Sequence, residues 1–169
     1  MRSLLSLLLA ASLVTLATAR EGLREIIHPK ADVPAFRVLL PSDWTDSVDA
    51  NGNLLLANDG RTANFSLSFV RSSDPAAALD QLARAILTGA VVAPWDSREP
   101  AEISGHRGYK YGARVRHSNG VEVRAELVLV AVGDKHIASC ALLLNPRVPR
   151  SDENLARLVQ AAVAIIPTP

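Results

Sequence analysis

Two stretches of alternating residues meet at Asn119-Gly120, and no other feature of the chain limits its fold as tightly. Before the turn, Tyr109, Tyr111, Ala113 and Val115 fall on one side, while Lys110, Arg114 and Arg116 fall on the other. After it, Val121, Val123, Ala125, Leu127 and Leu129 share a side opposite to Glu122, Arg124 and Glu126. A period of two belongs to a strand with one face against a core. Asn-Gly is the two-residue connection whose backbone matches the twist of a hairpin. A long antiparallel hairpin is therefore the centre of the expected fold.

Other segments supply its neighbours. Gly133-Asp134 turns the chain into a third strand over Ile137 to Leu144, which Pro146 and Pro149 end. Upstream, Phe36 to Leu40 is strand-like and stops at Pro41. Asn51-Gly52 precedes the short apolar run Leu54 to Leu56. Phe65, Leu67 and Phe69 alternate with Ser66 and Ser68 in a further half-buried strand. Asp74-Pro75 is a helix start, with Asp as N-cap and Pro in the first turn. Leu79, Leu82, Ala83, Ile86 and Leu87 then repeat at helical spacing, and Gly89 stands where a C-cap belongs. Pro94 and Pro100 interrupt the next stretch, which reads as a loop with a short edge strand. Ser151 caps a last helix whose stripe is Leu155, Leu158, Val159, Ala162, Val163 and Ile166. Strands, helix, strands, helix without a fixed repeat describe an α+β fold with an antiparallel sheet and two main helices.

The first nineteen residues follow a different logic. Arg2 provides a positive start, Leu4 to Leu16 is an apolar run, and Ala17-Thr18-Ala19 is a small-x-small cleavage pattern. Charged residues begin at once with Arg20 and Glu21. Residues 1–19 are expected to be a secretory signal, and the run is short for a bilayer span. No cysteine follows it, so no acylation point for a lipoprotein exists there. Residues 20–169 are expected to form one α+β domain, its body running from about Glu25 to Ile166. An Ala- and Arg-rich composition points to a bacterial chain, placing the mature protein in the periplasm or outside the cell.

Phe36 to Trp44, "FRVLLPSDW", resembles the opening strand-Pro-x-x-Trp segment of the PsbP-like proteins. Ile103 to Gly108, "ISGHRG", is similar to the I-x-G-x-x-G/A opening of that group's long hairpin. The group includes the photosystem oxygen-evolving subunits, the Mog family and exported bacterial proteins of the DcrB and LpqN kinds. The resemblance covers most of the mature chain and implies a small αβα sandwich that binds proteins or ligands. No catalytic residue is shared across the group, so none carries over.

Residues with chemical potential are sparse. The four histidines, His28, His106, His117 and His136, show no ligand spacing, and no metal or cofactor is expected. Cys140 is the only cysteine and lies in the apolar run His136 to Leu144, where it reads as a small buried hydrophobe. Cys140 and His136 would project from one strand face about 13 Å apart, too far for a nucleophile and its base. No Gly-x-Ser-x-Gly elbow and no phosphate loop occurs. The carboxylates Asp43, Asp46, Asp49 and Asp59 lie in polar turns and read as solvated residues. Asn64-Phe65-Ser66 matches a glycosylation acceptor but opens a strand.

A net charge of +1 and 4% aromatic residues give no basis for nucleic-acid binding. The expected function is therefore that of a non-enzymatic envelope module that binds a protein partner. Its docking residues would be Lys110, Arg114, Arg116 and Arg124 on the hairpin's polar face, with Trp95 in the preceding loop. Pairing about Ser118 to Val121 would set opposite charges across the ladder. Trp44, directly after a strand end, reads as a lid on the core. The alternatives are a small-ligand carrier with a pocket between sheet and helices, and a hydrolase with an unrecognised site.

Overall fold

The computed structural model describes residues 22–29, 34–88, 95–116 and 120–166. Among the described residues, ten strands form two antiparallel sheets. The larger contains β3 (Thr45–Val48), β4 (Leu54–Ala57), β5 (Ala63–Arg71), β6 (Ser97–Ile103), β7 (His106–Arg116), β8 (Glu122–Val132) and β9 (His136–Leu144). Its spatial order is β3-β4-β5-β9-β8-β7-β6. The smaller is β1 (Leu23–His28), β2 (Ala35–Pro41) and β10 (Ala164–Ile166), with β2 central. Helix α1 spans Pro75–Ile86 and helix α2 spans Arg150–Ala161.

Strand alternation builds two cores on opposite faces of the large sheet. Leu54, Leu56, Phe65, Leu67, Val128, Val130, Cys140 and Leu142 face the small sheet and α2, meeting Phe36, Val38, Ile165, Ala156 and Val159. Tyr111, Leu127, Leu129 and Ile137 face the other way, against Leu79, Ala83 and Leu87. A helix thus lies on each side of the large sheet, in an α+β sandwich. Trp44 sits in the first core with its ring 5.9 Å from that of Phe65.

The hairpin register pairs Val115 with Val123, Ala113 with Ala125 and Tyr111 with Leu127. Residues 117–119, including Asn119 of the expected turn, lie outside the described residues, as do the signal segment and Gly89. Asp74 caps α1 as expected, its carboxylate accepting from the Ala77 N–H at 3.1 Å. In the motif that opens the hairpin, Gly105 has φ +82°, a conformation that a side chain strains. Gly108 has a different constraint, because the backbone of β8 passes where its Cβ would stand.

Four elements differ from the sequence reading. The last helix starts at Arg150 after Pro149 as N-cap, not after a Ser151 cap, and it ends at Ala161. Leu158 of the expected stripe is 67% exposed. Val163 and Ile165 instead enter the core from an extended segment, and Ile165 pairs with Phe36. Branched residues favour that state, and the open edge of β2 receives their backbone groups. Strands β1 and β3 carry no strong apolar alternation; the four residues of β3 are all exposed. Their places depend on distant partners, such as the Arg24–Asp46 ion pair at 2.5 Å.

Candidate binding groove

The hairpin's polar face is a network rather than a row of free cations. Lys110 pairs with Glu99 at 3.7 Å, Arg114 with Asp96 at 3.5 Å and Arg116 with Glu122 at 2.8 Å. Arg124 reaches Glu153 of α2 at 2.7 Å, and Arg157 bridges Glu153 at 3.0 Å and Glu126 at 2.7 Å. These bonds clamp α2 to β8. Two guanidinium groups hold the Glu153 carboxyl down at about 2, Arg124 contributing most. Alternation of charge holds at Arg116 opposite Glu122, but Arg114 stands opposite Arg124. The like-charged pair follows from the register, which the sequence alone does not set.

Trp95 lies apart from these cations, on the α1 side. Its ring meets Tyr111 at 4.8 Å, with the Arg84 guanidinium 5.7 Å from the Trp95 ring centre. Tyr111 is fully buried and donates its hydroxyl to Asp80 of α1 at 2.6 Å. Arg98 donates to the same carboxylate oxygen at 2.9 Å and lies 3.3 Å over the Tyr109 ring. Burial, then the Asp80 carboxylate, raises the phenol well above its ordinary range, while the Tyr111 hydrogen bond lowers Asp80. This assembly fixes α1 against β7.

Helix α1 covers the β7–β8–β9 part of its sheet face. Toward β3, β4 and β5 the same face carries a groove of about 610 Å³. Ile86 and Leu87, at the end of α1, form one wall. The floor follows from strand pairing. One row runs Ser47, Leu55, Ser66, Ala141 and Leu127; the next runs Thr45, Ala57, Asn64, Leu143 and Ala125. Beside them, Ser68 stands directly opposite Ser139.

Small residues on β5 and β9 make this floor low. Ser139 is 3% exposed and lines the groove. Arg61 and Glu126 are the titratable residues of the lining, and the Glu126 carboxylate is engaged by Arg157. Phe65 and Leu56 also border the groove but belong to the opposite core.

None of the described histidines borders the groove. Among the described residues, no three His, Cys, Asp or Glu side chains are grouped to hold a metal ion. Burial pushes the Cys140 thiol up to about 12, which leaves it protonated and unreactive at neutral pH. Asp49 is lowered by hydrogen bonds from Asn53 and organises the turn before β4.

The sequence points to the hairpin cations and not to Ser139. The available signal was small and polar residues at alternate positions, Ser66 and Ser68 in one strand, Ser139 and Ala141 in another. Only the long-range pairing of β5 with β9 makes them one surface. The Asn64-Phe65-Ser66 match is part of the same alternation, with Asn64 and Ser66 both on the groove floor.

The two-sided sandwich is the PsbP-like fold. The chain is similar to the cyanobacterial PsbP protein CyanoP of Synechocystis, at 13% identity and a TM-score of 0.57 over 86% of this chain and 93% of that one. It is also similar to LpqN of Mycobacterium tuberculosis, a protein involved in cell envelope biogenesis. That match has 17% identity and a TM-score of 0.56, over 86% and 92% of the two chains. A Bacteroides thetaiotaomicron structure matches at 19% identity and a TM-score of 0.51 over 78% of this chain; the match spans 45% of that longer protein. No protein-family model matches the sequence, and no curated protein matches it. Among the described residues, no helix is long and apolar enough to cross a membrane.

Proposed function

We propose that the protein is an exported, non-enzymatic accessory module of the cell envelope that works by binding a ligand in the groove between α1 and β3–β5. The observation that carries this reading is the groove itself. It has a volume typical of ligand sites, walls of aliphatic side chains and a floor that carries Ser66, Ser68 and Ser139. Among the described residues no histidine borders the groove, and the Glu126 carboxylate is taken by Arg157, which favours binding over hydrolysis. Export is supported by the Arg2-to-Ala19 pattern, and an envelope role by the mycobacterial neighbour. Cell fractionation with N-terminal sequencing tests export, with a mature start at Arg20 expected. A thermal-shift panel of metabolites tests binding, because a ligand selective for the folded state raises its melting temperature. The groove-filling variant Ala141→Trp should abolish any such shift. A shift that survives in that variant would place the ligand elsewhere.

A second reading concerns a protein partner. Arg114 and Arg124 face one another, and the side chains of Arg114 and Arg116 are more than half exposed. Two guanidinium groups set opposite each other favour a carboxylate from outside. In-cell crosslinking of the tagged protein should capture an acidic partner that Arg114→Glu with Arg116→Glu loses. Those two positions leave the Arg124 and Lys110 contacts intact. Undiminished capture by the double variant would refute docking at this face.

A further inference from the structure

Building on the groove as the binding site, we propose that its ligand is a neutral aliphatic small molecule bearing a hydroxyl or amide, anchored by Ser68 and Ser139. Three observations point to this class. Ile86, Leu87, Leu55, Leu143 and Leu127 offer an aliphatic surface. No aromatic side chain of this sheet face borders it, because the Phe65 ring belongs to the core behind the sheet. An aromatic ring or a sugar face would therefore find nothing to stack on.

Charge gives the second constraint. A carboxylate or ammonium seated over Ser66 and Ala141 would lose water without gaining a counter-ion there. Arg61 is exposed, and the Glu126 carboxylate is taken by Arg157. The third constraint is the serine pair. Ser68 and Ser139 stand on neighbouring strands at one register position, and both line the groove. A ligand hydroxyl can donate to one serine and accept from the other.

The test is an amide-shift titration of the purified protein with 1-octanol, octanoate, octylammonium and benzyl alcohol. Octanol should move the Ser66, Ser68, Ser139 and Ala141 amides saturably, with an affinity at least about tenfold above those of the two ions. Ser139→Ala should weaken octanol by about threefold to tenfold with little change in melting temperature. Equal or tighter binding of octanoate or benzyl alcohol in the groove would overturn the neutral aliphatic class and leave the groove reading standing. Unchanged octanol affinity in Ser139→Ala would overturn the anchor. Failure of all four probes to move groove amides would overturn the ligand class; failure of the metabolite panel as well would remove the groove reading.

Discussion

Replacing Gly108 by alanine should damage this protein more than any other single-methyl addition among its described glycines. A Cβ built on Gly108 stands 2.7 Å from the Val130 Cα, and still closer to the Leu129 carbonyl oxygen. These are main-chain atoms of the central β8, so no side-chain rotation relieves the overlap. Strands β7 and β8 would have to part by about 1 Å near the Gly108–Val130 pair, against a normal spacing of about 4.8 Å. Loss of about two ladder hydrogen bonds, with their groups buried, gives a cost of about 3–5 kcal/mol. For a chain of this size that is a fall of about 6–20 °C in melting temperature. Gly105→Ala is the control. It occupies a left-handed conformation with open space around it, so strain of about 1–2 kcal/mol is all it should show. Urea unfolding followed by tryptophan fluorescence reports both, since Trp44 is buried in one core and Trp95 packs on the other. A Gly108→Ala protein within 1 kcal/mol of its parent would refute the close-approach argument.

The remaining expectations concern the two helices and the thiol. Glu153 has a folded value near 2 against an ordinary 4.5, so its stabilising effect is complete above about pH 4.5 and is lost as pH falls toward 2. Glu153→Gln should cost about 1–2 kcal/mol at pH 7, allowing for solvent screening, and flatten the acid limb of a pH–stability curve; an unchanged limb would contradict the clamp. Tyr111→Phe removes the donor to Asp80 and should destabilise by about 1–2 kcal/mol in chemical denaturation, loosening α1 with little effect on α2 as read by hydrogen exchange. Cys140 should resist alkylation at pH 8 in the native protein and react promptly in denaturant, because burial keeps it protonated.

What the sequence made legible is the local part of the fold. The Tyr109-to-Leu129 alternation, the Asp74-Pro75 helix start and the buried character of Cys140 all rest on neighbours in sequence, and all are found. Val163 and Ile166 fit a helical stripe as well as strand β10, and only the vacant edge of β2 decides between the two. The Arg114–Arg124 juxtaposition needs the register, and the Ser68–Ser139 pair needs two strands about seventy positions apart. Chemistry built from such distant residues leaves only a trace of small or polar alternation in each strand.

The small sheet ties the beginning of the fold to its end. Strand β2 is complete early in synthesis, yet one of its edges stays open until Ala164–Ile166 arrives. Three residues form a weak strand by themselves, and the Ile165 N–H has a further hold in the Ser104 hydroxyl at 2.9 Å. A chain that emerges from a ribosome or a translocation pore amino end first therefore carries Phe36 and Val38 unprotected for most of its passage. Its exposure to aggregation therefore lasts until β10 has formed, and removing β10 would prolong that interval.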